Sequence, residues 1–214
     1  MFLIRVIHGF LTARCSWSRT TAAHGLIRSP SKLHPAKLFS MNDFVENKIR
    51  PMRVGILFGI LALLFGLILG LVFGAGEEMV KGRIANSASA VAEKVYASDE
   101  AKMKTVKDKA WVYMQRAHLH AGAMGTTAIG LSLLLAFCRV SSRLSGLTSA
   151  ALGIGALGYS IYWMWAGFRA PGMGGTHIAR ESLDWLAIPT SGMFVLAAIV
   201  TLIIFIRSFF TRSK

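Results

Sequence analysis

Three histidines lie beyond the first 40 residues, His118, His120 and His177, and imidazole is a common protein ligand for a haem iron or a divalent transition metal. His118 and His120 are two residues apart. On a continuous helix that spacing puts them about 200° apart, so one ion cannot take both. His118 shares its helical face with Gly122, Gly125, Ile129 and Ser132, and His120 shares its own with Met124, Thr127, Leu131 and Leu134. Glycines one and two turns beyond a buried histidine leave room for a flat group against the backbone, as a b-type haem inside a helix bundle requires. The second axial ligand would be His177, or a second subunit's copy of His120. His118 or His120 with Glu77, Glu78 and His177 has ligand types suited to a transition metal but no dense spacing, so no metal is assigned. The plainer expectation for a histidine at a membrane surface is a hydrogen-bonded or snorkelling side chain.

Charged and aromatic residues gather at the same level. Glu77 and Glu78 follow the first apolar segment, while Arg116, Arg169 and Arg180 stand near Glu181 and Asp184 at the ends of the others. Trp111, Trp163, Trp165 and Trp185 fall there too, with Tyr113, Tyr159 and Tyr162. A mouth lined by Arg, His and Trp, beside the glycine-rich stretch from Pro171 to Gly175, has the chemistry to receive a quinone head group or a small anion. Rim charges facing water and the interfacial preference of Trp and Tyr are the simpler account. That account does not explain why the opposite interface has few aromatics beyond Phe137, Phe209 and Phe210.

No Walker motif, Gly-x-Ser-x-Gly or His-Glu-x-x-His occurs, so no catalytic residue is assigned and the chain reads as non-enzymatic. Cys15 and Cys138 form no Cys-x-x-Cys pair, which excludes zinc ribbons and thioredoxin-like chemistry as local motifs.

The elements that must position these groups are four apolar segments, at about residues 54–75, 117–138, 147–168 and 188–206. Each approaches the roughly 20 residues that cross a hydrocarbon core of about 30 Å. None carries Asp, Glu, Lys or Arg inside, so an ion-coupled transporter has no relay at the midplane. The fold class is therefore all-α, a polytopic membrane protein of four transmembrane helices. Side one holds the N-terminus, the 139–146 loop and the C-terminus; side two holds residues 76–116 and 169–187. On side two, Ser98 followed by Asp99 and Glu100 reads as a helix cap, and Met103, Val106, Ala110, Tyr113, Ala117 and His120 recur at helical spacing. With the alanine-rich stretch 77–97, whose stripe is Ile84, Ala88, Val91 and Val95, this predicts an extramembrane helical hairpin between helices 1 and 2.

Glycines carry the packing signal. Gly55 and Gly59, then Gly66, Gly70 and Gly74, make GxxxG steps along the first span. In lipid, where little hydrophobic drive acts between helices, such steps let backbones approach. They serve either the bundle itself or a seam with another copy or another membrane subunit. The third span has a looser version in Ser149, Gly153, Ala151 and Gly155.

The composition agrees with this class. Of 214 residues, 54% are hydrophobic and 16% charged, yet the formal charge is +14, with a mean hydropathy of +0.53. Nucleic-acid binding would need a far more charged surface, so no nucleic-acid partner is expected. Residues 1–40 contribute +6; side one has eight basic residues against two acidic, and side two ten against eight. The basic residues crowding the side-one helix ends make that side cytoplasmic, or the matrix side in a mitochondrion. Residues 1–40 are Arg- and Ser-rich without acids, which fits sequence upstream of a true start at Met41, in a bacterial inner-membrane protein, or an organellar transit peptide. Residues 41–214 then form the membrane domain. The expected function is a structural, assembly or partner-binding subunit of a larger membrane complex, beside the lipid bilayer itself. A haem- or quinone-linked electron-transfer anchor and a small-solute channel or transporter are the alternatives.

Overall fold

The computed structural model describes residues 44–210; the basic extension expected at residues 1–40 lies outside them. A π-helical turn (Val45–Ile49) and a 3-10 turn (Arg50–Met52) lead into helix α1, Arg53–Ser89. A short helix α2 (Ala92–Tyr96) precedes α3 (Glu100–Phe137) and α4 (Ser142–Arg169). The short α5 (Thr176–Glu181) precedes α6 (Asp184–Phe209). Helices α1, α3, α4 and α6 are long and apolar enough to cross a membrane, and each contains one of the expected spans. The protein is an all-α, multi-pass membrane protein.

Length separates the helices into two kinds. At about 1.5 Å per residue, the 37 residues of α1 and 38 of α3 run to about 55 Å, far beyond the hydrocarbon core, whereas the 28 of α4 and 26 of α6 give about 40 Å. The excess stands on side two as the expected helical hairpin. Its seam is Val80, Ile84, Ala88, Val106, Ala110 and Met114, all buried, with Val91 and Val95 packed beside them. Gly76, at φ −141° and ψ 32°, breaks helical geometry within α1 just where the apolar run ends, separating the spanning part from the overhang.

The hairpin turn differs from the expected one by a residue. Asp99, not Ser98, caps α3, its side chain accepting from the Lys102 backbone N–H at 3.0 Å. Ser98 is left-handed (φ 60°), as is Ala97 before it (φ 50°), because the chain must reverse within these two residues. Tyr96, almost wholly buried, ties the turn down by donating its hydroxyl to the Pro171 carbonyl at 2.6 Å.

In the membrane, α4 is the hub. It packs against α1, α3 and α6; α1 packs against α3, and α6 meets α3 only lightly. Hydropathy follows this placement. The apolar windows of α3 and α4 average 1.4 and 1.3 and are 33% and 44% buried, against 3.0 and 2.3 for α1 and α6, which are 22% and 17% buried. Helices that meet protein exchange Leu and Ile for Ala, Gly and Ser, as the midplane core of Ala62, Ala128, Leu152, Ala156 and Ala197 shows.

The glycine stripe is spent inside this bundle. A Cβ on Gly55 would collide with the Ser149 backbone, and one on Gly153 with the Gly55 carbonyl. A Cβ on Gly66 would stand 2.9 Å from the Gly122 nitrogen, and one on Gly125 would stand 2.8 Å from Leu63 N and 2.9 Å from Gly59 O. Of the stripe, Gly55 meets α4 and Gly59, Gly66 and Gly70 meet α3, while Gly74 faces open space. Near side one, Ser149 Oγ reaches the Met52 carbonyl at 3.2 Å and Ser132 Oγ at 2.7 Å, joining α1, α3 and α4 through buried hydroxyls.

These contacts generate a graded expectation. Gly153→Val, which forces a branched side chain onto the α1 backbone, is expected to abolish recovery of monodisperse protein in mild detergent, whereas Gly130→Ala, facing open space, changes thermal stability by less than about 0.5 kcal/mol. Size-exclusion profiles and melting curves of the two variants check this.

Candidate functional site

The two adjacent histidines reach different helices, as their spacing requires. His118 lies on the α1 side of α3, its Nδ1 at 2.7 Å from the Gly66 carbonyl. Its ring fills the space over Gly70, where a Cβ would come within 2.7 Å of Cε1, and meets Phe73 edge-on at 6.1 Å. His120 turns to α4 and packs on Tyr159 (5.3 Å between centroids) and Trp163 (6.0 Å).

His177 joins neither. It sits on α5 with its side chain 79% exposed, its Nδ1 3.1 Å from Glu181. Of the two glycines expected to leave room for a flat cofactor, Gly125 is covered by α1, whose Gly59, Ala62 and Leu63 lie against it, whereas a Cβ on Gly122 would meet open space. Glu77 pairs with Lys81 at 2.5 Å and so raises the lysine pKa, while Glu78 is exposed. Among the described residues no three His, Cys, Asp or Glu side chains converge as metal ligands.

What the fold does assemble is an aromatic floor carrying two cations. Tyr113, Arg116 and His120 recur at three- and four-residue steps on α3, and Tyr159, Tyr162 and Trp163 do so on α4, so each set shares one face. Trp163 is the centre. Its ring lies 4.9 Å from Tyr113, 5.2 Å from Tyr162 and 6.1 Å from Tyr159, each in edge-to-face contact. The Arg116 guanidinium covers Trp163 at 4.9 Å and Tyr113 at 5.5 Å. Arg180, from α5, lies against the phenol oxygens of Tyr113 and Tyr162, and these, Tyr113 first, raise its pKa above the ordinary arginine value. Neither guanidinium has a carboxylate within ion-pair distance among the described residues.

Trp163 is also 7% exposed, and its indole N–H is the one buried side-chain polar atom of the described residues without a hydrogen-bond acceptor. A guanidinium stacked on a rigid floor, as Arg116 is, is preorganised for an anionic oxygen group, since little side-chain freedom is left to lose. Comparison of the chain with protein-family models, with curated proteins and with solved structures finds no match.

Of the expected mouth residues, then, Arg116, Arg180 and Trp163 come together with His120. Trp165 is 43% exposed and instead meets Trp185 at 6.2 Å. Tyr113, Tyr159 and Tyr162 read as ordinary interfacial rings in the sequence, although spacing already put Tyr113 on one face with Arg116 and His120, and Tyr159 and Tyr162 on one face with Trp163.

His118 and His120 should separate on substitution. His118→Ala deletes an interhelical hydrogen bond and unpacks Gly70, and is expected to cost about 1–2 kcal/mol. His120→Ala leaves the α1–α3 seam intact and so lowers thermal stability less, which a melting-temperature comparison in one detergent measures.

Proposed function

We propose that this protein is a non-enzymatic assembly subunit of a membrane complex, and that a partner docks an acidic group onto Arg116 and Arg180 at the side-two mouth. The observation that carries the reading is the pair of guanidiniums held on Tyr113, Tyr162 and Trp163 with no carboxylate among the described residues to neutralise them. Two fixed cations at the edge of a bilayer attract an acidic partner at long range, and the aromatic floor sets the geometry of contact. The hairpin overhang of α1 and α3 stands beside the mouth as further docking surface. Lys48, Arg50, Arg53, Arg139, Arg143 and Arg207 at the opposite helix ends orient side one toward the cytoplasm or matrix, so the mouth opens to the other compartment.

In gentle detergent the wild-type chain is expected to migrate in a native gel well above its own 23.3 kDa, and Arg116→Ala/Arg180→Ala to release it, with Lys94→Ala as the unaffected control. Migration of wild type as a lone monomer would refute the subunit reading. An electron-transfer role makes the opposite demand: a haem that extends from His118 over Gly125 requires α1 to leave that glycine. A reduced-minus-oxidised visible spectrum of haem-replete protein is accordingly expected to show no Soret signal.

A further inference from the structure

A second site lies apart from the mouth, between the overhang of α1 and the side-two end of α4. There a groove of about 510 Å³ is lined by Arg83, Ser87, Trp165 and Phe168. Arg83 and Ser87 are one helical turn apart and so project from the same face of α1. The Arg83 guanidinium lies 5.9 Å from the centre of the Phe168 ring and has no carboxylate partner among the described residues. The Ser87 hydroxyl lies beside Gly172, 3.2 Å from where a Cβ on that glycine would stand. At the membrane-facing end, Trp165 is 43% and Trp185 64% exposed, packed edge to face at 6.2 Å.

We infer that this groove binds a phospholipid, its phosphate held by the Arg83 guanidinium and the Ser87 hydroxyl and its glycerol–acyl end lying against Trp165 and Trp185. Arg83 lies seven and Ser87 eleven residues past Gly76, about 10 and 16 Å along the helix from the end of the apolar run and beyond a headgroup layer of roughly 5–8 Å, so it is the long Arg83 side chain that reaches back toward the phosphate level. A phosphodiester accepts from a guanidinium and a hydroxyl together through charge-assisted bonds. The indoles supply amphipathic surface at the level where glycerol meets acyl chain. A free inorganic phosphate satisfies Arg83 and Ser87 but occupies only a few waters' worth of the groove and leaves both tryptophans bare.

The test uses the full chain, delipidated in detergent and then given phosphatidylglycerol, phosphatidylcholine or inorganic phosphate. Native mass spectrometry reads retained lipid and a thermal shift reads stabilisation. Wild type is expected to retain one phospholipid and to melt higher with either lipid, more so with the anionic one, while phosphate alone gives no shift. Arg83→Ala/Ser87→Ala is expected to lower retention about tenfold, the loss of one charged hydrogen bond, with Arg83→Lys intermediate. Trp165→Phe tests the acyl end through weaker quenching of tryptophan fluorescence by brominated-chain phosphatidylglycerol. Equal retention by wild type and the double variant overturns the site; equal stabilisation by inorganic phosphate overturns its assignment to lipid. Arg116 and Arg180 are untouched in these variants, so release from a larger complex and loss of the lipid are read independently.

Discussion

Backbone-to-backbone approach holds this bundle together. In hydrocarbon, burying Leu against Leu gains little over burying it against a lipid tail, so helices associate where van der Waals contact is closest. Gly55 and Gly153 bring α1 onto α4, while Gly59, Gly66 and Gly125 bring α1 onto α3. Gly155 and Gly158 do the same for α6 on α4, each meeting Thr190. The hydroxyls that join the three-helix unit become reachable only at that separation: Ser149 spans the gap to both Ser132 and the Met52 carbonyl. His118 obeys the same geometry, since its imidazole fits only because Gly66 offers a carbonyl and Gly70 offers no side chain.

Close packing at the midplane in turn decides what stands at the surface. Because α3 and α4 stay in contact along their length, the aromatic faces of Tyr113 and Trp163 meet where the bundle leaves the apolar layer. Arg116 settles on this floor, and Arg180 lies against its phenol oxygens instead of pairing with Glu181 or Asp184 nearby in sequence. The stacked Arg116 guanidinium contributes about 0.5–2 kcal/mol depending on its desolvation.

Much of this was legible in the sequence because composition and period carry it. Uninterrupted apolar runs located the four spans, the 3.6-residue stripe of Met103, Val106 and Ala110 located the overhanging helix, and small-residue spacing marked the packing face of α1. What spacing along one chain cannot report is which helix each face meets. The glycines beside His118 read equally well as space for a ligand and as space for a neighbouring helix; α1 fills it at Gly125 and leaves it open at Gly122. His177 was placed by the fold of the 170–183 loop, which put it on an exposed turn with Glu181. The groove at Arg83 depends on contact between residues about 80 positions apart, and the tether from Tyr96 to Pro171 on one 75 apart, distances at which local pattern is silent.

The placement of α6 has a consequence for biogenesis. Helices α1, α3 and α4 form a mutually packed unit, and α6 adds to it almost entirely through α4. The residues that close the three-helix unit are all synthesised by Arg169, so its contacts can form before α6 has left the ribosome. The last helix then arrives at a finished groove, with Gly155 and Gly158 already presented to receive Thr190. The contact pattern thus permits insertion in two steps, a packed triplet followed by lateral addition of a single strongly apolar segment.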